Sequence, residues 1–281
     1  MANMKEIRRR IRSIESTRQI TRAMELIASS RLRRARTRAE QARPCMDALQ
    51  QSAGRLLAAL GSADRPGGKR LLWVIAGDRG LAGGYNAGVL RLAQAQLDDG
   101  GPAEVVPIGR KAQEYFARRG VQSPAAYPGV ADRLTVGEAY AMAQPALAGY
   151  RTGEIGEISV CYTALVSPLV QQPRILRLLP TPQPSRPADV QYDPSAEHVY
   201  EAVLETYLGG MLYGAVVESY AAEQSARRLA METASDNAGE LLETLRLSYN
   251  RARQSAITQE ITEISAGSGA VGGTKSRGFL Q

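Results

Sequence analysis

The chain is poor in the residues that most often mark a catalytic or extracellular protein. Among its 281 residues there is one histidine (His198), one tryptophan (Trp73) and two cysteines (Cys45 and Cys161), far apart and without a CxxC pair. That excludes a clustered zinc site and a disulfide framework, and it fits a reducing compartment. A lone histidine with no nucleophile placed beside it leaves no hydrolase triad. No cofactor, no metal and no catalytic residue is therefore expected. Aromatic residues make up only 5% of the chain against 44% hydrophobic, which favours alanine-rich helix packing over a large β-sandwich. No apolar run approaches the roughly 18 residues of a membrane span. The first residues are charged (Lys5, Glu6, Arg8), unlike a secretory signal.

Two stretches are also poor in helix breakers. From His198 to Ile264 there is no proline, and glycine occurs only at 209, 210, 214 and 239. Apolar or small residues recur there at three- and four-residue steps: Leu208, Leu212, Ala215, Ser219, Ala222, Ala226 and Leu229. After a slip of phase the pattern continues at Ala234, Ala238, Leu241, Leu245, Ser248 and Ala252, then at Ile257, Ile261 and Ile264. A periodic run this much longer than about 25 residues predicts a coiled coil. At about 1.5 Å per residue it spans about 100 Å, wider than an ordinary core, so part of it must meet another chain. Residues 3 to 60 form the second such stretch, with no glycine before Gly54. Its stripe runs Ile7, Ile11, Ile14, Ile20, Met24, Ile27, then Ala35, Ala39, Ala42, Met46, Leu49, Ala53, Leu56 and Leu60. Pro44 predicts a kink or break.

Charge separates the two stretches. Residues 1–43 hold 13 Lys/Arg against 4 Asp/Glu (+9), whereas 198–264 hold 5 Arg against 10 Asp/Glu (−5). Complementary helices of this kind are expected to lie along each other. The arginine run Arg31–Arg38 (RLRRARTR) invites a nucleic-acid reading, but it has no interleaved aromatics and the alanine seam passes through it, which favours an acidic protein surface.

Between the long helices the pattern is α/β. Residues 61–69 read as a linker, 70–76 (RLLWVIA) as a buried strand with Trp73 in the core, and 87–97 as a helix. A strand follows at 103–108, helices at 110–119 and 134–150 (with a defect at Pro145), and strands at 157–165 and 172–179. That order predicts a partly parallel, Rossmann-like sheet. The proline-rich segment 180–196 is a connector, and glycine-rich 266–281 a flexible tail. The expected domains are a coiled-coil helix at 1–60, an inserted α/β domain at 68–180, a pairing helix at 198–265, and the tail. The glycine-rich segment 77–84 matches neither GxGxxG nor GxxxxGK[ST] and reads as a structural turn braced by an Asp78–Arg79 ion pair.

Five segments carry a resemblance: KEIRRRIR (5–12), TRQITRAM (17–24) with RLRRA (31–35), DRGLAGGYN (78–86), ASDNAGEL (234–241) and YNRARQSAITQEITEI (249–264). Together they resemble the γ subunit of F-type ATP synthase over nearly the full length. The resemblance implies an antiparallel coiled coil of the two termini with a Rossmann-like α/β domain at its foot. It implies a non-catalytic central rotor shaft, coupling proton or sodium transport to ATP synthesis. The implied partners are the α and β subunits, the ε subunit and the c-ring, with no nucleic acid. Membrane contact is then only through the c-ring, at the cytoplasmic face of a bacterial plasma membrane. Residue by residue, Met24 and its basic neighbours (Arg18, Arg22, Arg31) match positions facing the acidic lever of β. Arg253, Gln254, Thr258 and Glu260 match positions that contact a β loop higher up. A sliding upper surface accounts for small residues such as Ala28, Ser29 and Ala35. Ala82 stands where the family often has cysteine, and the Gly209-Gly210 pair makes the lower part of the C-terminal helix richer in glycine than the family pattern.

Overall fold

The structure, a computed structural model, describes residues 2–60, 68–181 and 191–273; at residues 2, 3, 57–60 and 266–273 it describes the backbone alone. Most of the expected linker and connector, and residues 274–281 of the expected tail, lie outside the described residues. The element order is α1 (Ala2–Leu60), β1 (Lys69–Ile75), α2 (Tyr85–Asp98), β2 (Ala103–Ile108), α3 (Arg110–Ala117), α4 (Val136–Thr152), β3 (Ile155–Ser167), β4 (Val170–Leu179) and α5 (Ala196–Gly273). The fold is mixed α/β, with two very long helices. α5 continues to Gly273, so the segment read as a tail begins as helix. Pro44 and Pro145 lie inside uninterrupted helices. Both are exposed, so the carbonyl that each deprives of a partner faces water, and no break is enforced.

Contacts divide the chain into two compact units, one of residues 1–24 with 231–281, the other of residues 25–230. In the first, the α1 and α5 segments run antiparallel. Arg8 donates to the Tyr249 hydroxyl and stands over its ring, Arg246 pairs with Glu15 at 2.7 Å, and the Arg18 guanidinium lies along Gly239. The inner face of α5 carries Met231, Ser235, Ala238 and Leu242, buried, then Leu245, Tyr249, Ala252 and Ala256, half-buried. These steps of four and three are a heptad seam. It differs from the sequence expectation: Leu241 is 54% exposed while Leu242 is 3% exposed, and Ser248 is exposed while Tyr249 turns inward. On α1 Thr21 faces inward, whereas Ile20 is exposed. A count of apolar residues favours the larger side chains; the seam itself mixes Met231, Leu242 and Leu245 with small and polar residues, which let backbones approach.

The second unit is built on a four-stranded sheet of order β2-β1-β3-β4. β1 is parallel to β2 and β3, and β3 pairs antiparallel with β4 through a short turn at 168–169. Ser167 stabilises that turn, its hydroxyl accepting from the Leu169 and Val170 amides. β3 and β4 are each longer than the sequence pattern suggests. One sheet face packs Leu72, Val74, Val105 and Cys161 against α2 and α3 through Val89, Ala93, Ala112 and Phe116. Burial pushes the Cys161 thiol up to about 12, so it is inert packing. The other face packs Leu71, Trp73, Val106, Ile158 and Val160 against α4, the 46–56 part of α1 and the 200–216 part of α5. Trp73 is 1% exposed, as expected of a core residue.

α4 begins at Thr135, whose hydroxyl accepts from the Glu138 amide while the Glu138 carboxylate accepts from the Thr135 amide. This capping box satisfies two of the first-turn donors. The helix ends at Gly153, at φ +80, a left-handed conformation that glycine adopts without a Cβ clash. The glycines of α5 serve close packing. A Cβ on Gly209 would meet the Tyr140 ring of α4, one on Gly210 the Leu49 side chain, and one on Gly214 the Met46 side chain.

Candidate partner-binding surfaces

The residues singled out for partner contact fall on two stretches of exposed helix. On α1, Met24 is half-buried and Arg31 exposed; on α5, Arg253, Gln254, Thr258 and Glu260 are all exposed. The last four lie within eight residues of sequence, and the steps 254–258 and 253–257–260 place them on adjacent helical rows. Ile257, Ile261 and Ile264 stand beside them, 46%, 62% and 72% exposed. They form a continuous apolar row at four- and three-residue spacing on an exposed helix. Arg31 has a second role. Its guanidinium lies close enough to Tyr220 and Glu223 to favour their charged forms.

The arginine run 31–38 is not one uniform basic face. Arg38 reaches inward, donating to the Asp132 carbonyl at 3.0 Å and the Leu134 carbonyl at 2.7 Å, with its guanidinium over the Tyr213 ring. Arg36 pairs with Glu40 at 2.7 Å. Ala28 and Ala35 are 1% and 3% exposed, so they line the interior rather than the sliding surface expected for them. Their small size serves helix contact.

The glycine-rich loop between β1 and α2 is braced from several sides. Asp78 does not pair with Arg79. Its carboxylate accepts from the Arg110 amide at 3.0 Å and the Gly129 amide at 2.7 Å, tying the loop to the start of α3 and to the 121–133 segment. Asn86 bridges the loop ends, its side chain accepting from the Gly77 amide and donating to the Arg79 carbonyl. Leu81 sits at φ +61 and is 63% exposed. Across the loop lies α5. Ala82 and Tyr85 pack on Ala222 and Ala226, and the Tyr85 hydroxyl meets Ser219 Oγ at 2.8 Å, with burial pushing its acidity far below that of a free phenol. Ser219 also accepts from the Thr163 amide of β3.

At the centre is an ion pair within α5: Arg227 to Glu223 at 2.6 Å, their side chains only 10% and 7% exposed. Arg227 also donates to the carbonyls of Arg79 and Gly80. Glu223 presses on Gly77, where a Cβ would come within 2.9 Å of its carboxyl group. Desolvation pushes the Glu223 pKa above the usual glutamate value, opposed by Arg227. A carboxyl group thus lies against the first glycine of the loop. The sequence named this loop but gave no signal for its partners. Glu223 and Arg227 look like ordinary surface residues of a long helix until the fold brings Gly77 against them.

A family model described as ATP synthase matches residues 3–271. The ATP synthase gamma chain of Ruminococcus albus is 44% identical, the match covering 95% of this chain and 98% of its own. That of Moorella thermoacetica is 39% identical over 96% of this chain and 100% of its own. Among solved structures, a chain of the Euglena gracilis mitochondrial ATP synthase OSCP/F1/c-ring in rotational state 3 superposes with a TM-score of 0.71 at 16% identity, covering 100% of this chain and 98% of that one. A chain of the Tetrahymena thermophila central stalk/c-ring gives 0.61 at 20% identity, covering 77% and 99%. At these identities the structures speak to the fold, and the sequence relatives to kinship. With the family model spanning both long helices and the sheet between them, the chain belongs to the ATP synthase γ chain family.

Proposed function

We propose that this chain is the central rotor shaft of an F-type ATP synthase, carrying torque between an ion-driven c-ring and the catalytic β subunits. Membership of the γ chain family over residues 3–271 carries the reading. In this reading α1 and α5 form one antiparallel coiled coil, 1–60 with 198–265, and the sheet of 68–180 is a Rossmann-like insertion at its foot. The partners are the α3β3 ring, the ε subunit and the c-ring. The chain catalyses nothing itself, and nucleotide chemistry belongs to β.

Met24 and Arg31 meet the acidic lever of β, where a basic surface is attracted without burying unpaired charge. Arg253, Gln254, Thr258 and Glu260 make directed hydrogen bonds with a β loop nearer the end of α5. Among the described residues no helix is long and apolar enough to cross a membrane. In the rotor reading the chain is peripheral, touching the membrane only through the c-ring at the cytoplasmic face of a bacterial plasma membrane. Reconstitution of the full chain with α and β subunits tests the reading. A single copy in the centre of the hexamer, with ATPase activity above that of α and β alone, is the expected result. An α3β3 core that excludes the chain would overturn it.

A further inference from the structure

We infer that Glu223 and Arg227, with the loop 77–86 they grip, form a keyed joint that fixes α5 against the sheet in both rotation and slide. This rests on the rotor reading above, since only a torque-bearing helix needs such a key. The argument begins from cost. A buried ion pair is weak evidence for stability, because desolvating two charges offsets their attraction, and apolar residues of similar size often do as well. The α5 face here already has an apolar solution to hand: Ala222 and Ala226 pack on Ala82 and Tyr85. Small apolar surfaces, however, oppose sliding only weakly. A helix shifted by one turn, about 5.4 Å, places similar side chains in the same grooves.

The polar contacts have no such tolerance. Within nine residues of α5, Ser219 engages Tyr85 and the Thr163 amide, Ser225 donates to the Pro168 carbonyl at 2.7 Å and accepts from Gln171, and Arg227 holds the Arg79 and Gly80 carbonyls. Three separate segments of the second unit (the loop 77–86, β3 and the β3–β4 turn) are thus each tied to a specific side chain of one helix. A slip of one turn, or a rotation by one residue, carries Glu223 and Arg227 together away from Gly77 and from the Arg79 and Gly80 carbonyls, and leaves buried donors and acceptors unpaired. Each such group is expensive to leave unmade. The glycine at 77 is part of the key, because a side chain there would displace the carboxylate. Asp78 and Arg31 face the same carboxylate and hold the loop and α1 in the same local field.

Glu223 and Arg227 are therefore positioning residues that act through the seating of the helix. The test uses the full assembled ATP synthase in inverted vesicles, comparing wild type with Glu223→Gln, Arg227→Ala and Arg227→Lys. ATP hydrolysis and ATP-driven ion pumping are measured on the same vesicles. For Glu223→Gln and Arg227→Ala the expected result is continued hydrolysis with a several-fold loss of ions pumped per ATP. Arg227→Lys, which keeps one charge and fewer donors, is expected to recover part of that ratio. Should Arg227→Ala fail to assemble, Glu223→Gln, nearly the same size, carries the test. Variants that assemble and pump at the wild-type ratio overturn the joint while leaving the rotor reading intact. A wild-type complex that hydrolyses ATP without pumping overturns the rotor reading itself.

Discussion

Gly209 offers a prediction in which two effects of similar size oppose each other. It lies inside α5, where replacing glycine by alanine stabilises a helix by about 1 kcal/mol. The new Cβ would stand 2.8 Å from Cγ of Tyr140, with the near edge of the ring closer still. Overpacking of that kind costs about 1–3 kcal/mol. Gly209→Ala is therefore expected to destabilise the protein by between near zero and about 2 kcal/mol. In a Tyr140→Ala background the obstruction is gone and the helix preference is unopposed, so the same change should stabilise by about 1 kcal/mol. The double-mutant cycle then yields a coupling of about 1–3 kcal/mol between two residues 69 positions apart. Scanning calorimetry on the full chain reads it out, at about 2–4 °C per kcal/mol for a protein of this size. If alanine at 209 shifts the melting temperature in the same direction and by the same amount in both backgrounds, Tyr140 does not set the packing limit and the account of the α5 glycines is wrong.

Three further outcomes are expected. Leu242→Ala should cost about 2–5 kcal/mol and Leu241→Ala no more than about 0.5, as the seam register requires; equal losses in urea unfolding would refute that register. The Glu138 carboxylate is held below the usual glutamate range by the Thr135 amide and then its hydroxyl, so its capping contribution is complete above the unfolded glutamate value. That contribution is lost as pH falls through the depressed folded value. The melting-temperature gap between wild type and Glu138→Gln should accordingly be steady at neutral pH and close in acid; a gap that widens in acid contradicts the assignment. Met24→Lys adds a positive charge beside Arg18, Arg22 and Arg31 on the surface proposed to meet the acidic lever. The expected outcome is sound folding with less ion pumping per ATP, and unchanged pumping would count against that surface.

What could be read from the sequence was what repeats. Every strand and helix of the sheet region was visible from runs such as RLLWVIA, and the long helices from their scarcity of glycine and proline and their apolar stripes, because backbone preference and burial leave a local, periodic trace. The seam register was less visible. Thr21, Ser235 and Tyr249 are polar, yet they hold inner positions, whereas Ile20, Ile27 and Leu241 are apolar and exposed. Nothing local distinguishes them, since the choice depends on how closely two backbones approach. The loop 77–86 was recognisable as a motif, but its bracing was not. Asp78 bonds to amides at 110 and 129, and Arg227 to carbonyls at 79 and 80, pairings across long sequence distances that no spacing rule encodes. Arg253, Gln254, Thr258 and Glu260 were singled out by resemblance and Ile257, Ile261 and Ile264 by their spacing, because exposed side chains make no contact within the chain from which a role could be read.

The single tryptophan has a practical corollary. Its indole is sealed in the sheet of the second unit, and the first unit contains none. Intrinsic emission excited at the indole band is therefore a natural probe of one half of the molecule and blind to the paired termini, whereas far-ultraviolet dichroism is dominated by the long helices. Following both signals through one denaturation would show whether the ends unzip before the sheet gives way, without attaching a label.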